Sequence, residues 1–424
     1  MQRWLIAGVV ALLAITALAT VAALSDADPR DSDATIQPAP PPMTTAPSEP
    51  EETGVETTRG PERDGVLVVW ARGDLTAAFS AAVAALPQVL AATHVRSDTL
   101  ALVGARTADG VPTTLLSDGF QIPVDVAAVD PAAYAATRRP GEDDDLLEGL
   151  APRRVLLSQT AARLRGIGVG GEVDLAGLPG LEVVAVVPDG SVGRAEIVIH
   201  TDDAAAAGLD EDGTVFLRHG AAPGAELDAL MDRIEALVPP DLTARILDAT
   251  DGDLRRAPLV LSLAQVKDRF GEFAFRPRAD MREIDVDPSF AAKHIVSAEV
   301  PILGSVTCHE AIIADLRGAL QRVVEQGLAR EVDPRRYAGC YYPRRISTTG
   351  ARLSHHSWGI AIDINVDLSH PELGPPPHPG VIAAFEAHGF RWGGDFIQPD
   401  NHHFEWVGEV TDPPGRWPDR PPDR

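Results

Sequence analysis

Two short polar stretches near the C-terminal end hold the residues best suited to bind a metal ion. The first, ARLSHHSWGIAIDINV, spans residues 351–366 and contains His356 and Asp363. The second contains Asp400 and His403. A catalytic zinc site needs three protein ligands and one open position for water, and two histidines with one carboxylate are a suitable set. His356, Asp363 and His403 therefore predict a Zn2+ site.

Zinc at this site would favour hydrolysis of an amide, because it lowers the pKa of bound water from about 15.7 towards about 7. A neighbouring carboxylate can take the proton and pass it to the leaving amine. Asp400, three residues before His403, is the best-placed general base by sequence. Glu405 shares a strand face with His403 if the residues that alternate with them turn inward. Glu405 is then either an outer partner of the ligand or a rival base.

A short β-strand is predicted to position Asp363. Small and β-branched residues alternate from Gly359 to Ile362, as they do in a half-buried strand. Ile360, Ile362 and Ile364 would share the face that turns to a core. Asp363 would then lie on the opposite face, among small residues, where an ion or a substrate can approach.

Other histidine and serine patterns in the sequence do not predict a catalytic site. His355 and His402 adjoin proposed ligands and are predicted to be outer or surface groups. His309 begins an H-E-x-x-H pattern, but Ile313 takes the place of the second histidine, so the helical zincin motif is absent. The G-x-S-x-G motif of serine hydrolases is also missing from the sequence.

The two cysteines, Cys308 and Cys340, flank a stretch from Ile312 to Gly327 in which apolar residues recur at helical spacing. In an oxidising compartment a lone pair of cysteines is most simply a disulfide, which would stabilise the fold by roughly 3 to 4 kcal/mol. The sequence therefore predicts an α-helix and a disulfide in this region.

Length and charge bound the class of protein. At 424 residues the chain is long enough for two or more domains with full-sized cores. Its net charge of -25 argues against nucleic acid as a partner, because phosphate binding needs clustered Lys and Arg.

The N-terminal region has the composition of a membrane anchor and a tether. Trp4 to Leu24 is an almost unbroken apolar run, which predicts a single membrane-spanning helix within residues 1–25. A cleaved signal peptide is the alternative, although its apolar core is usually shorter. In both cases the rest of the chain lies outside the cytoplasm, on the membrane surface or secreted. Residues 26–64 and residues 412–424 are predicted to be a disordered linker and a disordered tail.

Two globular segments are predicted between linker and tail. The upstream segment, residues 65–250, mixes strands with Ala-rich helices and lacks any ligand cluster, and a polar patch at residues 251–256 separates it from the C-terminal segment, residues 257–411. The predicted strands of the upstream segment are 66–70, 99–103, 181–187, 196–200 and 214–217, and its predicted helices are 75–86, 158–165 and 225–238.

Small-residue patterns give the upstream segment a resemblance to a known family. VLLSQTA at residues 155–161 and GIGVGGEV at residues 166–173 resemble the extracytoplasmic domain of FtsX- or MacB-type ABC transporter permeases. The resemblance implies that residues 65–250 bind a protein partner or serve regulation rather than form a second active site.

A second resemblance covers roughly residues 263–410. SHHSWGIAID at residues 354–363 matches the S-x-H-x-x-G-x-A-x-D motif of the zinc peptidase family of D-alanyl-D-alanine carboxypeptidases and L-alanyl-D-glutamate endopeptidases, and DNHHFE at residues 400–405 is similar to its acid-x-x-His motif. It implies the ligands and the base named above. It also implies that an upstream arginine steadies the substrate, a role that fits Arg344, with Arg345 as an ambiguous neighbour.

The expected architecture is therefore α+β. A C-terminal zinc D,D-peptidase-like domain with a central antiparallel sheet would follow a separate mixed α/β domain, a disordered linker and an N-terminal membrane helix. The resemblance implies peptidoglycan stem peptides as substrates, with either release of a terminal D-alanine or cleavage at L-Ala-D-Glu. The alternative to an enzyme is a non-catalytic regulatory protein that binds the cell wall. The intact set of proposed metal ligands argues against this alternative.

Overall fold

A computed structural model describes most of the chain. Nearly all of the predicted membrane helix, linker, boundary patch and tail lies outside the described residues, so those expectations stay predictions. The chain divides into two compact units, and every described residue belongs to the second, Arg59–Arg424. Among the described residues, no helix is long and apolar enough to cross a bilayer. The described residues are 64–71, 75–117, 119–139, 147–209, 213–249, 260–279, 282–346, 351–366, 374–411 and 415–416.

Strands make up most of the regular structure in the described residues. In chain order they are β1 Gly65–Ala71, β2 Val89–Arg106, β3 Pro112–Thr114, β4 Ile122–Val129, β5 Arg154–Ser158, β6 Glu172–Leu175, β7 Leu178–Val187, β8 Ile197–His200, β9 Gly213–His219, β10 Ala244–Asp248, β11 Phe275–Pro277, β12 Ile284–Val286, β13 Ile295–Val300, β14 Gly304–His309, β15 Ala361–Asp363, β16 Phe390–Trp392, β17 His403–Trp406 and β18 Gly415–Arg416.

The α-helices are short, and several begin at a side chain that accepts a backbone N–H. Ser158 caps one in this way, and Ser262 forms a reciprocal capping box with Gln265. The helices are α1 Ala77–Ala84, α2 Pro131–Ala136, α3 Gln159–Arg165, α4 Ala204–Ala207, α5 Ala225–Glu235, α6 Leu263–Phe270, α7 Pro288–His294, α8 Ile313–Glu325 and α9 Pro379–Glu386.

The upstream segment is built on one large mixed sheet, which agrees with the predicted mixture of strands and helices. The strand order is β18-β10-β1-β9-β2-β4-β8-β5-β7-β6, with β3 beside β2, and the edge strand β18 comes from the C-terminal end of the chain. An additional pairing of β6 with β2 closes six of these strands into a ring. Buried aliphatic side chains such as Val124, Leu157 and Ile199 fill one of its clusters. All five predicted strands of this segment are confirmed, and its three predicted helices are confirmed within a few residues.

The C-terminal segment contains a small antiparallel sheet in the order β15-β17-β16. Its inner face packs on the predicted helix, which is confirmed as α8, and on α9. Ile360, Ile362 and Ile364 are fully buried, as their alternation predicts. The strand is shorter than predicted, because Gly359 adopts a left-handed conformation with φ 68° and ends a 3-10 turn instead of extending the strand.

The predicted disulfide is confirmed. Cys308, on β14, is bonded to Cys340, and the two Cα atoms are 5.3 Å apart. Both residues are buried in the same hydrophobic cluster as the sheet. The bond therefore ties the segment around Cys340, which has no strand of its own, to the body of the C-terminal segment.

Replacing both cysteines with serine should lower the free energy of unfolding by about 3 to 4 kcal/mol, because the closed loop of the unfolded chain gains entropy. Urea denaturation of the oxidised chain and of Cys308→Ser/Cys340→Ser measures the difference. A reducing agent should destabilise the natural chain and leave the variant unchanged. Equal stability of the two proteins would show that the bond adds nothing to the fold.

Candidate metal centre

A tight 3-10 turn, His355–Trp358, presents His356. The side chain of Ser354 accepts the backbone N–H of His356 at its start, and Gly359 ends it. A Cβ atom on Gly359 would lie only 2.8 Å from the backbone nitrogen of His309, so a larger residue would push the turn off the neighbouring strand. The glycine is thus needed both for its left-handed φ and for this close approach.

Asp363 and His403 face each other as a registered pair on the adjacent strands β15 and β17. Asp363 Oδ1 lies 2.9 Å from His403 Nδ1 and 3.1 Å from His356 Nε2. Both histidines are buried, and the carboxylate is nearly so. Their three ligand atoms lie within 4.8 Å of one another, and no other such group occurs in the part of the chain that the structure describes. The structure thus brings together the three residues that the sequence predicts as metal ligands.

The outer nitrogen of each histidine has an acceptor of its own. His356 Nδ1 lies 2.9 Å from the carbonyl oxygen of Cys340, which can only accept, so the proton of that ring sits on Nδ1. His403 Nε2 lies 3.4 Å from Glu405 Oε2 and donates to it. These partners orient Nε2 of His356 and Nδ1 of His403 towards Asp363, as outer acceptors do around metal-binding histidines.

This arrangement fits a zinc ion. With their outer nitrogens protonated, both imidazoles turn a nitrogen towards the same carboxylate oxygen, which is itself an acceptor. The contacts are then satisfied either by a second proton on each ring or by a cation that all three atoms share. Two imidazoles and one carboxylate are a usual protein ligand set of catalytic zinc.

Charge and burial compete in the pKa values of this cluster. Burial alone would lower the pKa of His403, but hydrogen bonds and charge from Asp363 and Glu405 raise it to about 10. Burial would raise the pKa of Asp363, and the two histidines overcome that effect and hold it well below its usual range. A metal ion would therefore have to displace a firmly held proton from His403.

Glu405 contacts the nitrogen of His403 that faces away from Asp363. It is buried, and its carboxylate contacts His355 Nδ1 through one oxygen and His403 through the other. Burial would raise the pKa of Glu405, but these two histidines hold it far below its usual range. Of its two sequence-based roles, the geometry favours an outer partner of His403 over a base, and it makes His355 the second member of that outer layer.

Asp400 occupies the loop before β17, at the more open side of the centre. Its side chain is about one-third exposed, and His402 Nε2 lies 3.1 Å from its Oδ1 and 4.0 Å from Asp363 Oδ2. The loop folds over Gly393, whose carbonyl accepts the N–H of Asp400 and where a Cβ atom would lie 2.6 Å from the Asp400 carbonyl oxygen. Gly393 therefore lets this loop close next to His403.

The backbone of Arg344 is fastened to the turn that carries His356. Ser357 Oγ accepts the N–H of Arg344 at 3.0 Å and donates to its carbonyl oxygen at 3.1 Å. Arg345 is buried, whereas Arg344 is half-buried. Of the two arginines, Arg344 therefore has the side chain that is more open to a substrate.

Sequence reasoning missed three contributors to the centre. Cys340 supplies a carbonyl oxygen, which its residue type does not signal, and Ser357 fastens Arg344. Tyr337 precedes a segment that pairs with Asp363, since Ala338 donates its N–H to the Asp363 carbonyl oxygen and Gly339 bridges to the same residue. Burial, with the charge of Asp363 behind it, raises the pKa of Tyr337 to about 12, so its phenol stays protonated beside the site.

The raised pKa of His403 predicts how the stability of the metal-free chain depends on pH. Since the folded-state pKa of about 10 exceeds the ordinary value of 6.5, the stabilisation is complete below 6.5 and is lost as the pH rises through about 10. Urea denaturation of chelator-treated protein from about pH 7 to about pH 10 should show this loss, and His403→Gln should show a flatter profile. Identical profiles would contradict the assignment.

Two family models match the chain, each in the segment whose sequence pattern resembles that family. A model described as D-alanyl-D-alanine carboxypeptidase matches residues 347–406, which include His356, Asp363, Asp400, His403 and Glu405. A model described as MacB-like periplasmic core domain matches residues 5–237, which are 233 of the 424 residues. Both resemblances are thereby confirmed. No curated protein matches the sequence.

Solved structures similar to this chain are transporter domains. The periplasmic region of MacB from Actinobacillus actinomycetemcomitans is 12% identical, with 45% of this chain and 92% of that chain covered and a TM-score of 0.29. The extracellular domain of the ABC-type transporter YknZ from Gram-positive bacteria is 15% identical, with 41% and 88% covered and a TM-score of 0.25. A permease domain from Porphyromonas gingivalis is 13% identical, with 44% and 89% covered and a TM-score of 0.26.

Proposed function

The chain belongs to the family of the MacB-like periplasmic core domain, and we propose that its C-terminal segment makes it an extracytoplasmic, zinc-dependent peptidase of peptidoglycan stem peptides. The observation that carries this proposal is the convergence of His356, Asp363 and His403 inside the segment matched by the D-alanyl-D-alanine carboxypeptidase model. The predicted membrane helix, for which the described residues provide no test, would keep the enzyme at the cell surface.

The three ligands would hold zinc through His356 Nε2, His403 Nδ1 and the carboxylate of Asp363. When bound, zinc supplies a water of lowered pKa, about 7, and polarises the carbonyl of the substrate. The protein contributes the orientation of the ligands, because Cys340 and Glu405 each hold one imidazole by its outer nitrogen. It also contributes the partly exposed edge at which a peptide can enter, on the side of Asp400.

Asp400 is the proposed general base. It would accept a proton from the attacking water and deliver it to the nitrogen of the leaving amine as the amide bond breaks. His402 Nε2 lies 3.1 Å from its Oδ1 and 4.0 Å from Asp363 Oδ2, so one imidazole lies between the proposed base and a proposed ligand. Arg344 would bind a carboxylate or the carbonyl oxygen of the substrate, since its planar guanidinium can donate two parallel hydrogen bonds.

Replacing Asp400 by Asn should lower kcat by about 100-fold to 10,000-fold, because the amide cannot carry the proton. Zinc content of the purified chain should stay at the natural level, since Asp400 is not a proposed ligand. Asp202→Asn, an exposed aspartate of the upstream segment, is the matched control and should keep full turnover. A fully active Asp400→Asn variant would remove Asp400 from the mechanism.

Replacing Glu405 by Gln should lower the affinity for zinc and leave kcat largely intact once zinc is saturating. The loss of the charged acceptor behind His403 should weaken zinc binding by about 10-fold to 100-fold, as changes to outer partners of metal ligands do. At saturating zinc, kcat should recover most of its natural value, because Glu405 takes no proton from the substrate. Chelator competition measures the affinity, and a kcat that stays low at saturating zinc would instead favour Glu405 as the base.

The bond that is cleaved can be decided with a pair of stem peptides. If Arg344 grips the terminal carboxylate, a stem pentapeptide should lose its last D-alanine, and its C-terminal amide should react about 100-fold more slowly, because the bidentate pair is lost. Arg344→Gln should abolish that preference. Mass spectrometry of the products identifies the bond. Cleavage of both peptides between L-Ala and D-Glu would assign the endopeptidase activity, and no cleavage by zinc-loaded protein would favour a non-catalytic, wall-binding role.

A further inference from the structure

A fully buried ion pair joins the upstream segment to helix α6. Lys267, on α6, places its Nζ 2.9 Å and 3.0 Å from the two carboxylate oxygens of Glu196, and neither side chain is exposed to solvent. The same ammonium donates to the carbonyl oxygen of Pro123 on β4. Glu196 is held in turn by the N–H of Asp125, 3.1 Å from its Oε2.

Further contacts continue this interface around α6. Arg165, at the end of α3, forms a bidentate pair with Glu272, which also lies 3.4 Å from Lys267. Gln121 and Phe275 exchange two backbone hydrogen bonds of 2.8 Å. An uncompensated charge in a buried site is strongly destabilising, so this interface tolerates little change in the position of α6 against the sheet.

The C-terminal end of α6 also contacts two of the three elements that carry the proposed metal ligands. The carbonyl oxygen of Gly271, just after the helix, accepts the indole N–H of Trp358 at 3.0 Å, and Trp358 belongs to the turn that presents His356. Phe270 packs edge-on against Trp406, with ring centroids 5.5 Å apart. Trp406 lies on β17, the strand that begins at His403.

We propose that Lys267 is a positioning residue for the metal centre, and that through α6 the upstream segment sets the geometry in which His356 and His403 bind zinc. The inference rests on the proposed function and deepens it. The upstream segment is then part of the working peptidase, and a partner that shifts this segment changes metal affinity and turnover at the centre.

The consequence can be measured on the full-length chain without any substrate. Lys267→Met breaks the connection but also leaves the buried carboxyl of Glu196 without its cation. Lys267→Met/Glu196→Gln breaks the same connection without leaving an unpaired acid. Its melting temperature should therefore lie closer to that of the natural protein than to that of Lys267→Met. If Lys267 acts only on overall stability, zinc affinity and hydrogen exchange at the centre should return to their natural values in the double variant. If Lys267 positions the centre, both quantities should stay changed in the double variant.

In the metal-free chain, hydrogen exchange of residues 351–366 should be about 10-fold faster in both variants than in the natural protein, because the turn loses its support. The dissociation constant for zinc alone, from chelator competition, should rise by about 10-fold in both. Asp268→Asn is the matched control, since Asp268 lies on the same helix and pairs with Arg163 across the same interface, but both side chains are exposed. It should change neither quantity.

A folded double variant with natural zinc affinity and natural exchange in residues 351–366 would overturn the proposal. Trp358→Phe, which removes the indole donor to Gly271 together with part of a buried ring, provides a second break of the path should the Lys267 variants fail to fold. It should reproduce the loss of zinc affinity, and an unchanged affinity would equally overturn the inference. Failure of the proposed function is distinct, because the natural chain would then bind no zinc, whereas the exchange measurement needs no metal.

Discussion

The buried carboxylate of Asp363 is the constraint on which the C-terminal segment depends. A carboxylate that loses most of its water must be met by hydrogen bonds or opposite charge, since an isolated buried charge is costly. His356 and His403 meet the same oxygen from two different elements. The turn that carries His356 and the strand that carries His403 must therefore both be held in place by neighbouring elements.

A second layer of contacts fixes the two imidazoles. The Cys340 carbonyl holds one and the Glu405 carboxylate holds the other. The disulfide to Cys308 anchors the first of these partners, and the strand register anchors the second, because Glu405 is two residues beyond His403 on β17. The proposed ligands are therefore held by contacts within the protein itself, and a metal ion that bound them would replace protons.

The sequence predicted which residues form the proposed centre better than it predicted their contacts and roles. His356, Asp363 and His403 could be chosen because residue type and spacing within two short motifs carry that information, and the burial of Ile360 and Ile362 follows from alternation. The division of roles between Asp400 and Glu405 could not be decided, since both are carboxylates near one histidine. Only the contacts of the Glu405 carboxylate with His355 and with the outer nitrogen of His403 show that Glu405 is an outer partner of the ligands.

Contacts between distant parts of the chain left no trace in the sequence. Lys267 and Glu196 are 71 positions apart, and each residue type is usually found at the surface. In the predicted architecture, the patch at residues 251–256 is the boundary between two domains. The described residues on either side of it share a buried ion pair and a backbone bridge, which the sequence did not predict.

The chemistry of that interface distinguishes it from a simple tether. Two domains that only need to stay near each other can be joined by a flexible linker and an exposed surface, where ion pairs contribute about 0 to 1 kcal/mol. A buried pair gains little net stability over apolar residues, because both ions must be desolvated. Its energetic effect is instead to penalise every arrangement in which Lys267 and Glu196 part. The interface thus selects one relative position of α6 and the sheet, and the C-terminal end of α6 contacts the turn that carries His356 and the strand that carries His403.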